Sequence, residues 1–290
     1  MIDILITIIT FSFMLMLFKY FGKYQVNNLQ AIIINYFTAG SLAVVITNTN
    51  GLPINFQHIV LSNYIVPSLI IGLLFIITFN LLAYGTQKIG IAISTVANKM
   101  SMIIPVIIGI YLFKEAIGVF KLIGIFLAIS AIYMTSTKSG KLSFDKKFMP
   151  IILLIFLGQG IADGTLSWTQ KFTLSTENTS LFFASTFFSA GTFGCLFLVY
   201  DLMVKKIQFQ AKNILWGIAL GVPNYLTLHF FIRSLQSPIL ESSQVFPVVN
   251  MGIIILSAIS GIILFKEKLT PLNWTGIAIA IIAISFISFF

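Results

Sequence analysis

Charge is what this sequence has least of. Only 9% of its 290 residues are Asp, Glu, Lys or Arg, where a water-soluble domain carries about 25%. So few charged side chains can hardly cover a water-facing surface, and an ordinary soluble globular domain is excluded. Cysteine is nearly absent too. The single thiol, Cys195, sits in an apolar run, which rules out a disulfide or a thiolate metal site within one chain. The two histidines, His58 and His229, fall in unrelated segments, and the acidic residues number 8. A metal enzyme needs a ligand cluster and an intramembrane aspartyl protease needs paired carboxylates. Of the aspartates Asp3, Asp145, Asp163 and Asp201, only Asp163 lies deep in an apolar segment. No enzyme, cofactor or metal site is expected. A channel lined by rings of one residue type finds no support either.

What the chain does have is apolar length. Hydrophobic residues make up 58%, 29 of them Phe, and the natural solvent for such a surface is lipid. The net charge of +9 is spread singly or in pairs between apolar runs. It reads as orientation-setting loop lysines rather than as a nucleic-acid surface. With about 20 apolar residues needed per crossing, spans are predicted at 2–20, 29–47, 62–84, 91–113, 118–137, 149–171, 179–203, 213–233, 239–264 and 273–290. The run after Met1 has no basic lead and no clear cleavage site, so it is expected to be a retained helix.

The sequence repeats itself. Residues 109–115 read GIYLFKE and residues 261–267 read GIILFKE, an offset of 152 that also pairs Val96 with Val248, Asn98 with Asn250 and Gly124 with Gly276. Polar and glycine matches carry the signal, because apolar matches are cheap in so hydrophobic a chain. The repeat pairs spans four and five with nine and ten. An odd number of five spans per half makes the halves opposite in orientation, the inverted plan of many secondary transporters. The expected fold is therefore all-α and polytopic, with ten transmembrane helices in two inverted five-helix repeats. Residues 1–137 form the first, 138–148 a basic linker and 149–290 the second.

The two Leu-Phe-Lys-Glu segments with their downstream glycines (Glu115 with Gly124, Glu267 with Gly276) and Pro105, ten residues before Glu115, resemble the drug/metabolite transporter superfamily of the EamA type. The likeness extends over the ten spans and two halves. One departure is that Ser257 stands at the place matching Pro105 and Pro247 lies ten residues earlier, so the break in span nine is expected at a different depth. The resemblance implies a small-metabolite carrier, often an exporter, in a bacterial inner membrane.

Leaving out Lys99, the loops after odd-numbered spans together with the adjoining span ends hold 12 Lys and Arg, and those after even-numbered spans hold 4. The positive-inside rule then puts the odd loops in the cytoplasm and both termini outside. The family resemblance implies the opposite.

Ionisable groups deep in lipid are costly and mark functional positions. Lys99 lies about nine residues into span four beside Asn98, too deep for its stem to reach the interface comfortably. Asp163, in Gly158-Gln159-Gly160-Ile-Ala-Asp163, is mid-span in six and is expected to hold a proton or pair with Lys99. His229 and Arg233 share a helix face with Asn224 and Tyr225 nearby. At an offset of 149 they match Asn80 and Tyr84, and Gly221 matches Gly72. Glu241 and Gln244 open span nine. Neutral candidates are Asn35, Tyr36, Asn80, Tyr84, Trp168 and Gln170. Glu115 and Glu267 are expected to be mostly structural. Both charges together suit a polar or zwitterionic solute such as an amino acid better than a hydrophobic cation, which remains the alternative cargo. The expected partners are the solute, the lipid bilayer and a coupling proton. A monomer suffices and a homodimer is compatible.

Overall fold

A computed structural model describes residues 2–49, 59–113, 118–135, 137–138, 141–142, 146–174, 178–204, 208–235 and 242–289. Eleven α-helices occur among them: α1 (Ile2–Lys23), α2 (Asn28–Thr49), α3 (Ile65–Lys88), α4 (Ile91–Met100), α5 (Ile103–Phe113), α6 (Val119–Thr135), α7 (Met149–Phe172), α8 (Thr179–Val204), α9 (Lys212–Leu235), α10 (Ser242–Phe265) and α11 (Pro271–Phe289). Between α6 and α7, Thr137–Lys138 pairs antiparallel with Lys141–Leu142 in the basic linker. Helix is the form such a chain must take in lipid, because every backbone N–H and C=O is then satisfied within its own segment.

Among the described residues eight helical stretches are long and apolar enough to cross a membrane, one of them Ile91–Ile108 across the junction of α4 and α5, and two shorter apolar helices lie at Leu122–Thr135 and Pro271–Phe286. These are the length and composition of a polytopic membrane protein. Large apolar side chains are correspondingly exposed, among them Phe126, Met203 and Leu215.

The span expected over 91–113 is not one continuous helix. It breaks at Ser101 and Met102 into α4 and α5. Pro105 is the cause: it has no N–H to offer the Ser101 carbonyl, and its ring crowds that same carbonyl. Ile104 takes over, donating its N–H to Ser101 O at 2.9 Å. Span nine, where a break is expected from Pro247, is instead one helix: Pro247 falls in the first turns of α10, and Ser257, at the place matching Pro105, leaves it unbroken.

Helix ends sort onto two faces. On one, Lys19 near the end of α1 meets Thr86 near the end of α3 and Glu267 just past α10, while Lys212 at the start of α9 donates to Tyr24 O. On the other, Asp3 at the start of α1 meets Arg233 near the end of α9 at 3.7 Å. We refer to them as the Lys19 face and the Asp3 face.

Packing runs mainly between sequence-distant helices. α2 lies on α8 and α9, and α8 on α2 and α3. α1 lies on α9 and α10, and α7 on α3, α4 and α5. α6 lies along α11. Close approach is made by glycines. A Cβ on Gly40 of α2 would stand 3.2 Å from the Phe188 ring of α8, and one on Gly191 of α8 3.1 Å from the Phe37 ring of α2. A Cβ on Gly72 of α3 would stand 2.9 Å from Thr186 O of α8, and one on Gly221 of α9 2.8 Å from Asn35 O of α2.

Candidate functional site

The break between α4 and α5 falls just after Asn98 and Lys99, and α7 crosses beside it. Asp163 Oδ1 accepts a hydrogen bond from Gln159 Nε2 at 2.8 Å, one helical turn away on α7. Gln159 Oε1 in turn accepts from Asn98 Nδ2 at 3.2 Å. The chain of donors stops there, since Asn98 Oδ1 is buried with no hydrogen-bond partner. A buried acceptor left open costs about 1–3 kcal/mol, so an unfilled one invites a donor.

Lys99 makes neither an ion pair nor a hydrogen bond to Asp163, although the two charges act on each other through space. Its Nζ instead sits 3.7 Å above the centroid of the Phe11 ring of α1, a cation–π placement. An ammonium, a carboxylate, an open amide oxygen and an aromatic face thus converge from α1, α4 and α7. Such a set can hold both ends of a small zwitterion. Asn250 of α10 adds its amide nearby, donating towards Met102 Sδ at 3.8 Å.

The other sequence candidates lie elsewhere. Asn35 and Asn224 bond to each other at 3.0 Å across α2 and α9. Tyr36 is fully buried between Phe79 and Phe187, its hydroxyl without a partner. Asn80 donates to Ile76 O of its own helix at 2.7 Å. His229 Nδ1 is 3.4 Å from the Tyr225 hydroxyl, with the rings stacked. Arg233 is exposed at the Asp3 face. Tyr84, Trp168 and Gln170 are exposed side chains on the outside of the bundle. Gln244 is on α10, and Glu241 and Glu115 lie outside the described residues.

Two residues escaped the sequence reading. Phe11 gave no signal, being one apolar residue in an apolar helix. Lys19 read as an orientation lysine, though Lys171 repeats it at the same offset of 152.

No protein-family profile matches the chain. An uncharacterized protein of Haemophilus influenzae is 28% identical over 263 residues, covering 88% of this chain and 86% of its own. A solved crystal structure aligns over 99% of this chain and 96% of its own at a TM-score of 0.62 and 11% identity. At that identity the likeness is one of fold alone.

Proposed function

We propose that this chain is a secondary transporter, an exporter of a small polar metabolite such as an amino acid. On this reading it works by alternating access between two inverted five-helix halves in a bacterial inner membrane, on the plan of the EamA-type transporters its sequence resembles. The observation that carries the proposal is the constellation at the α4–α5 break. Lys99 and Asp163 sit within the span of apolar helices without neutralising each other in a direct pair, and charges so placed serve a solute or ion pathway. Lys99 takes the solute's anionic end, Asp163 its ammonium, and Asn98 Oδ1 accepts one further donor. A hydrophobic cation would be repelled by Lys99, which disfavours drug efflux.

The paired packing supports the inverted-repeat part of the reading. Adding 151 to Gly40 and Phe37 gives Gly191 and Phe188, so the two glycine–ring contacts between α2 and α8 exchange partners. Gly72 and Gly221 differ by 149, and their carbonyl neighbours Thr186 and Asn35 by 151. Reciprocal contacts of this kind are what a twofold axis between the halves produces. One chain holds both halves, so a monomer suffices. The coupling proton alternates with the solute's ammonium on Asp163.

The test is an untargeted comparison of metabolites in cells with and without the protein, followed by flux of the altered solute in proteoliposomes. Accumulation of a polar metabolite in cells lacking the protein, and its saturable movement in vesicles, supports the reading. An unchanged metabolite profile opposes it.

A further inference from the structure

Lys19 and Glu267 join the halves at one face. Lys19 Nζ lies 2.9 Å from Glu267 Oε1 and donates also to Thr86 O at 2.9 Å. Both Glu267 oxygens accept from the Ile91 N–H, at 3.0 and 3.1 Å, where a carboxylate suits the start of α4. The pair thereby ties together the ends of α1, α3 and α10 and the beginning of α4, Lys19 reaching α3 and Glu267 reaching α4.

The backbone is shaped to aim it. α10 ends at Phe265, and Lys266 adopts a left-handed φ of 54°, which costs a non-glycine residue about 1–2 kcal/mol. The Lys266 N–H then returns to Ile262 O, the 5→1 bond of a left-handed helix cap, and the Glu267 N–H to Gly261 O, each at 3.0 Å. Gly261 and Gly90 leave room for the carboxylate: a Cβ on either would lie 2.7 or 3.2 Å from Oε2. The pair is mostly shielded, its side chains 21% and 13% exposed. A shielded ion pair is weak evidence of added stability, so so much local shaping points to another use.

Outside the pair, on the same face, lies a cavity of about 370 Å³ whose walls include Lys19, Gln87, Lys88 and Phe265. Behind it, α4 leads from Ile91 to Asn98 and Lys99. The packing is closed at this face, where α1 lies on α3. The corresponding approach of α7 to α9, towards the Asp3 face, has no comparable packing among the described residues.

We propose that the Lys19–Glu267 pair is the gate bond of the Lys19 face. It is made when that face is shut and broken when the face opens, and the cavity over it is the vestibule a solute crosses. The inference rests on the alternating-access reading above.

Accessibility tests it without any solute. In a Cys195→Ser background, Ser94→Cys places a thiol at a fully buried position one turn inward of Ile91. Its labelling by a membrane-impermeant maleimide is followed in sealed vesicles of each orientation. Glu267→Gln keeps shape and the acceptor for Ile91, and is expected to speed labelling from the Lys19 face about tenfold, as a two-state population shift does. Lys19→Met should do the same, and Lys19→Arg should stay near the parent rate. Parent-rate labelling of both Glu267→Gln and Lys19→Met overturns the gate. Saturable flux with unchanged labelling removes the gate and leaves the carrier. Faster labelling in a protein that moves no solute keeps the gate bond and removes the carrier.

Discussion

The ring of Phe188 on α8 covers Gly40 of α2, 3.2 Å from where a Cβ would be. Phe37 of α2 covers Gly191 of α8 in the same way, at 3.1 Å. Neither contact tolerates a branched side chain. Gly40→Val and Gly191→Val are each expected to cost about 1–3 kcal/mol by overpacking, read as a lower unfolding midpoint in detergent. Phe188→Ala should recover part of the Gly40→Val loss and none of the Gly191→Val loss. Equal rescue of both would mean that the two contacts are not separate.

On the transporter reading, Lys99 sets solute affinity. Lys99→Met removes the ammonium but keeps the stem over Phe11. A hydrogen bond to a charged group is worth about 1.5–3 kcal/mol, so flux at low solute concentration should fall about ten- to a hundredfold. Phe11→Leu should give a smaller loss in the same assay.

On the same reading, Asp163 carries the coupling proton. Asp163→Asn retains a partner for Gln159 and cannot release a proton. Uptake by proteoliposomes containing this variant is expected to lose its dependence on a pH gradient while downhill exchange continues. Unchanged pH dependence would move the coupling proton to another residue.

Much of this was legible in the sequence, and what was not has physical reasons. Apolar length and the two Leu-Phe-Lys-Glu segments predicted all-helical, membrane-crossing segments, because lipid allows a chain of this composition little else. Pro105 pointed to the break in span four, but Pro247 suggested one in span nine as well, and α10 runs unbroken from Ser242 to Phe265; a proline near the start of a helix is accommodated in its first turns. Depth in the span singled out Lys99 and Asp163, and the structure brings their helices together. Depth could not reveal Phe11, whose aromatic face matters only once Lys99 is above it. Asn35 and Asn224 satisfy each other, a pairing invisible without knowing that α2 packs on α9.

Pro105 gives a further prediction. Pro105→Ala restores the missing N–H and lets α4 run on into α5. Removing a proline from a helix interior is worth up to about 3 kcal/mol. The variant is expected to unfold at a higher temperature and to transport more slowly, because the break that presents Asn98 and Lys99 is lost.

Orientation is open to a direct reading. By the positive-inside rule, the excess of lysines at the Lys19 face predicts that this face is cytoplasmic and Phe290 outside. A reporter active only in the cytoplasm, fused to Phe290, should stay silent, and a periplasm-active one should work. The reverse pattern would turn the protein over and leave the fold unchanged.

The central claim is a solute-binding centre exposed to each side of the membrane in turn. Counterflow in proteoliposomes tests it most directly: vesicles loaded with the unlabelled solute are given a trace of labelled solute outside. The account predicts transient accumulation of label above equilibrium in the wild type and its loss in Lys99→Met. Label that merely equilibrates, at a rate proportional to concentration and indifferent to Lys99, would contradict it.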